Sequence, residues 1–113
     1  MKAFFLFFIL FSLVQAAGAQ VIVVELNDAI TPASDDIISE ALANAQISDA
    51  QALIITMNTP GGGLDETKRI LDHIQNSPVP VIGYVYPNGA TAWSAGTIIL
   101  LATDVWLQWR PTR

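Results

Sequence analysis

The chain contains no cysteine, which excludes a disulfide framework, a thiolate metal site and a cysteine nucleophile. Histidine occurs once, as His73, and beyond position 2 lysine occurs once, as Lys68. After residue 19 there are 4 basic side chains against 10 acidic ones, with no Lys/Arg cluster, so nucleic acid is not an expected partner. The acidic residues are scattered, and no spacing among them suggests a metal site or a glycosidase carboxylate pair. Neither Gly-x-x-x-x-Gly-Lys-Ser/Thr nor Gly-x-Gly-x-x-Gly occurs, and no cofactor is expected. Phenylalanine is missing from everything after position 11.

What is present divides unevenly. The 113 residues are 52% hydrophobic with a mean hydropathy of +0.47. All five Phe (Phe4, Phe5, Phe7, Phe8, Phe11) crowd the start. Lys2, the 12-residue apolar run Ala3–Val14 and Ala17-Gly18-Ala19 follow the order of a secretory signal peptide. Residues 1–19 are therefore expected to be removed before Gln20, and the run is shorter than the roughly 20 residues of a membrane span. The mature chain is expected outside the cytoplasmic membrane, or on its outer face. The length left allows one small domain with one core.

Three β–loop–α units follow. Val21–Leu26, Ala52–Met57 and Val81–Tyr86 are short apolar runs of the kind found in buried parallel strands. Thr31 is placed as a helix N-cap, with Pro32 at the first helical position and Asp35 and Asp36 in the first turn. Ile37, Ile38, Ala41, Leu42 and Ala45 form that helix's apolar stripe. A second helix is predicted over Leu64–Gln75, with Leu64, Ile70, Leu71 and Ile74 towards the core. A third is predicted over Ala92–Ala102. Such units imply a parallel sheet covered by helices, with ligands at the carboxyl ends of its strands. Residues 105–113, with two of the three Trp, show neither period nor turn chemistry and read as a divergent tail.

Two loops fall on that carboxyl edge. Gly61-Gly62-Gly63 lies between a strand and a helix, where backbone N–H groups can hold an anion; a merely tight turn is the simpler reading. Ser94 stands at the entrance to the third helix, flanked by small residues, and a cap or packing role is its simpler reading. It is not in a Gly-x-Ser-x-Gly elbow. His73 lies well round from its helix's apolar stripe and is expected on a solvated face, away from Ser94. Lys68, in Asp65-Glu66-Thr67-Lys68-Arg69, is expected to pair with neighbouring carboxylates.

Taken together, the stretches Ile30-Thr31-Pro32-Ala33, Leu53-Ile54-Ile55 into Asn58-Thr59-Pro60-Gly61-Gly62, Ser77-Pro78-Val79-Pro80-Val81, and Tyr84–Ala90 leading to Ser94-Ala95-Gly96-Thr97 are specific. With them, residues 21–104 resemble the N-terminal protease domain of the NfeD family, the membrane-bound ClpP-class serine proteases. The resemblance implies an α/β fold, the ClpP/crotonase-like spiral of β-β-α and βα units around a parallel sheet, here incomplete at the C-terminus. The domain is taken as residues 20–104. Ser94 then matches the nucleophile of a Ser-Lys dyad, and the N–H groups of Gly61 and Gly62 match the oxyanion hole. The family's base is a lysine downstream of the serine, and none follows Ser94, so the chain as given lacks a general base and is expected to be inactive alone. Asn58 stands where Asp is common, and Trp93 where a small residue is common. Implied partners are hydrophobic peptides or membrane-protein segments, a stomatin-like protein and a second copy in a homodimer. A non-catalytic interaction module is the alternative of a different class. A crotonase-type acyl-CoA enzyme is a third, disfavoured by the signal peptide.

Overall fold

The computed structural model describes residues 18–112, so the signal-peptide expectation for residues 1–17 lies outside the described residues. The element order is β1 (Val21–Asn27), α1 (Pro32–Ile47), β2 (Ala52–Asn58), α2 (Leu64–Gln75), β3 (Val81–Val85), α3 (Ala95–Ala102) and β4 (Val105–Gln108). The strands form one parallel sheet in the order β1-β2-β3-β4. An order that always steps the same way, with crossovers of one hand, puts every helix on the same face. The sheet thus begins a spiral instead of a doubly wound sandwich. This is the expected α/β, ClpP-like fold class.

The core lies between that face and the helices. Val24 and Leu26 of β1, Leu53, Ile55 and Met57 of β2, and Val81 of β3 meet Ile38 and Leu42 of α1, Ile70 and Ile74 of α2, and Ile99 of α3. Period-2 alternation sends the remaining strand residues to the opposite face. Among the described residues no helix covers that face, and Val23 (59%), Val105 (52%) and Leu107 (53%) are exposed on it. The expectation of a sheet covered by helices therefore holds for one face only, because unidirectional winding leaves the other bare.

Three further readings are corrected. Residues 105–108, read as having neither period nor turn chemistry, form a strand: Ile82 to Val85 pair in register with Val105 to Gln108, and Trp109 N–H donates to Val85 O at 3.0 Å. Ile37 (46%) and Leu64 (64%) are exposed, and Ser34 and Thr67 take the core-facing positions on their helices. Helix α3 begins at Ala95, not Ala92, and this decides where Ser94 sits. Thr31 does cap α1, with its N–H donating to Ser34 Oγ at 3.0 Å and Pro32 in the first turn. Among the described residues no helix is long and apolar enough to cross a membrane.

Candidate active site

The loops after β2 and β3 meet at the carboxyl edge of the sheet and are joined by backbone pairing. Thr59 N–H donates to Thr91 O at 2.7 Å, and Trp93 N–H donates to Thr59 O at 3.0 Å. Asn58 Oδ1 also accepts Thr91 N–H at 3.2 Å. Thr59 is 1% exposed, so this seam lies inside the fold. It brings the glycine run beside Ser94.

Contact across the seam is close enough to require glycine. Gly61 has φ +103, and a Cβ there would stand 2.8 Å from Ser94 Cβ, 3.0 Å from Trp93 O and 3.1 Å from Ala95 N. Gly62 in turn lies against the backbone of Ile30, and a Cβ on it would overlap Ile30 O and N. The bonds Ile30 N–H to Gly61 O and Gly63 N–H to Ile30 O, both 2.9 Å, fix that approach. The glycine run is thus a three-way packing joint between the loops after β1, β2 and β3.

Ser94 precedes α3 at φ 52, ψ −119 and makes no side-chain cap hydrogen bond. It is exposed. The hydroxyl is therefore neither a helix cap nor buried packing. A non-glycine residue in this part of backbone space costs on the order of 1–3 kcal/mol and persists only where its surroundings enforce it. Here Gly61, with no Cβ, leaves the room that the turn occupies. In shape the turn is like a nucleophile elbow, a sharp strained turn into a helix, without the glycine spacing that usually marks one.

The donors near Ser94 can be accounted for individually. Gly61 N–H donates to Thr59 Oγ1 at 3.1 Å. Gly63 N–H is used by Ile30, whereas Gly62 N–H and Ala95 N–H have no acceptor among the described residues. Ala95 had not been singled out in the sequence. Its signal is positional: the N–H of the residue after a nucleophile opens the helix and commonly faces the oxyanion.

The two sequence candidates for a base lie elsewhere. His73 is nine residues beyond Leu64, about 14 Å down α2 from the site edge. Its Nε2 is 3.1 Å from Asp35 Oδ1 on α1, so His73 meets a neighbouring helix while its side chain stays 37% exposed. That contact becomes a hydrogen bond when Nε2 carries the proton, since the oxygen is otherwise without a donor. Arg69, not Lys68, makes the ion pairs on α2: Nε to Asp35 Oδ2 at 2.7 Å and Nη2 to Glu66 Oε1 at 3.1 Å. The hydrogen bond to Asp35 is the main cause raising Arg69 above its usual pKa. Lys68 stays exposed. Among the described residues no three His, Asp or Glu side chains group as a metal site.

Known proteins share this architecture. The profile of the NfeD1b N-terminal domain matches residues 20–110. The membrane-bound protease PH1510 of Pyrococcus horikoshii is 42% identical over 85 residues, covering 75% of this chain and 19% of its own length. A lysine-to-alanine mutant of the 1510-N membrane-bound stomatin-specific protease, solved with a substrate peptide, superposes with a TM-score of 0.79 at 39% identity. The match covers 82% of this chain and 42% of that one. The ClpP protease catalytic domain of Plasmodium falciparum shares the fold at a TM-score of 0.65 and 18% identity, over 75% of this chain and 53% of its own. This chain thus spans less than half of the 1510-N domain and about a fifth of the curated relative. By sequence profile and identity, it belongs to the NfeD1b N-terminal domain family, whose relative PH1510 is a membrane-bound protease.

Proposed function

We propose that the loops after β2 and β3 form the nucleophile half of a serine endopeptidase site, with Ser94 as nucleophile. The single observation that carries this reading is the strained, exposed and uncapped Ser94 held at φ 52 against Gly61. Ser94 Oγ attacks a peptide carbonyl while a base takes its proton, and that proton passes to the leaving amine. The N–H groups of Gly62 and Ala95, without acceptors among the described residues, are available donors for the developing oxyanion. Gly61 N–H joins them only if it leaves the Thr59 hydroxyl.

A stomatin-specific protease with this fold supports a stomatin-like protein as partner. The substrate proposed with it is an apolar segment of a membrane protein. Export by residues 1–19, action at a membrane face and a homodimer complete the reading. The bare apolar sheet face gives association a surface. His73 is engaged with Asp35, so the base for Ser94 is another group. The alternative reading is an interaction module that binds peptides without cleaving them.

The test compares two polypeptides: this chain, and this chain continued by the lysine-bearing remainder of a family domain. Each is offered an apolar peptide from a stomatin-like protein. Cleavage by the continued form alone, lost in Ser94→Ala, supports the peptidase. Binding by both forms with cleavage by neither leaves the interaction module.

A further inference from the structure

The tip of the loop after β3 is Pro87-Asn88-Gly89-Ala90, a turn closed by Ala90 N–H donating to Pro87 O at 2.9 Å. Gly89, its third residue, takes φ +85, a conformation that such turns reserve for glycine. Asn88 and Gly89 are both exposed, and nothing lies within 4 Å of where a Gly89 Cβ would stand. Neither the Asn88 side-chain amide nor the Gly89 N–H has a hydrogen-bond partner among the described residues.

The free Gly89 N–H separates Asn88 from the chain's other four asparagines. Asn27 is followed by Asp28, whose N–H donates to Asn58 O at 3.0 Å. Asn58 is followed by Thr59, whose N–H donates to Thr91 O at 2.7 Å, and Asn76 by Ser77, whose N–H donates to Ile74 O at 3.1 Å. Asn44 lies inside α1, where the next N–H belongs to the helical ladder. Asn27, Asn58 and Asn76 also hold hydrogen bonds through their own side-chain amides. Asn88 alone has a free amide beside a free backbone nitrogen, on a neighbour with no side chain to obstruct their approach.

From this contrast we infer that Asn88 is a site of spontaneous deamidation, and that its isoaspartate product loosens the loop leading to Ser94. The Gly89 nitrogen attacks the Asn88 side-chain carbonyl carbon, and the new C–N bond closes a five-membered succinimide. The bond from that carbon to the side-chain nitrogen breaks, and the Gly89 proton leaves with that nitrogen as ammonia. Water then opens the ring at either carbonyl, giving aspartate or isoaspartate. Isoaspartate routes the main chain through the former side chain, adding one methylene, and both products bring a carboxylate. The turn ends at Ala90, directly before Thr91, whose O and N–H bond Thr59 and Asn58 across the seam. A longer backbone in so short a connection displaces that pairing. Ser94 takes no part in this chemistry.

The test holds the full chain in warm, mildly alkaline buffer made with oxygen-18 water, samples it over days and maps it by mass spectrometry. Labelled oxygen is expected first at Asn88, with isoaspartate identified by electron-transfer fragmentation. Opening one hydrogen bond beforehand slows a reaction about 2- to 12-fold, and a side chain on the following residue slows it further, so Asn88 should lead the other asparagines by about 10-fold or more. Gly89→Ala should slow the reaction at Asn88 severalfold while keeping the circular dichroism of the parent. The isoaspartate form, separated by chromatography, should exchange the Thr59 N–H with deuterium faster than the parent does. Asn88→Asp, which carries the charge on an ordinary backbone, should not. Labelling of Asn88 only after unfolding in urea would show that the turn protects it and would overturn the site. Faster labelling of any other asparagine would overturn it too. Unchanged exchange at Thr59 in the isoaspartate form would overturn the effect on the loop.

Discussion

Replacing Gly61 by alanine tests the joint on which the Ser94 turn depends. Two costs arise. The first is backbone: φ +103 lies where an L-residue pays about 1–2 kcal/mol. The second is steric, because the new methyl group would stand 2.8 Å from Ser94 Cβ and 3.0 Å from Trp93 O. The second neighbour is backbone and can yield only if the Ser94 turn moves, which at core-like density costs about 1–3 kcal/mol. Against these stands the stiffer unfolded chain, worth about 0.4–1 kcal/mol to the variant. The net loss is about 2–4 kcal/mol, a large share of the roughly 5–15 kcal/mol that holds a domain together. Gly89 supplies the control: it has φ +85 but nothing within 4 Å of its added Cβ, so Gly89→Ala carries the backbone cost alone, about 1 kcal/mol or less. Urea melts of both variants followed by circular dichroism give the comparison. Equal midpoints would refute the argument, because the contact with Ser94 would then contribute nothing.

Three other outcomes follow from the same geometry. Ser94→Gly removes the strain at φ 52 and should stabilise the chain by about 1 kcal/mol in a urea melt, after the entropy of an added glycine is set against the relief. Asp35→Asn weakens the bridge from α1 to Arg69 and His73 and should lower the melting midpoint in dilute buffer, with the difference shrinking in 1 M salt. Leu53→Ala, at 0% exposure in the central strand, should cost about 2–5 kcal/mol, whereas Ile47→Ala at 84% exposure should change stability by less than about 0.5 kcal/mol.

Much of this arrangement was legible in the sequence, and the parts that were not share physical causes. The β-branched and apolar runs of β1, β2 and β3 marked themselves, as did the Thr31-Pro32 start of α1, because local propensity and tertiary role agree there. Strand β4 did not: its four residues are all exposed, so no alternation survives to betray a strand, and its identity comes from pairing with β3. Ile37 and Leu64 were misplaced because a helix lying on one face of a sheet buries a narrower stripe than its apolar residues suggest. The Ser94 conformation is the deepest case. Nothing adjacent to it in the chain marks φ 52; the room for that turn depends on Gly61, 33 positions away, across the Thr59–Thr91 seam. His73 keeps part of the solvent exposure expected of it, but its contact with Asp35 was not legible, since that partner belongs to another helix.

The central claim is that the chain's architecture presents Ser94 as a nucleophile, and its most direct test is to locate a covalent adduct. The chain continued by the lysine-bearing remainder of a family domain is treated with a fluorophosphonate, digested and mapped by mass spectrometry. The account predicts one adduct, on Ser94, absent in Ser94→Ala and strongly reduced in Gly61→Ala. An adduct on another serine, or labelling that survives Ser94→Ala, would contradict it.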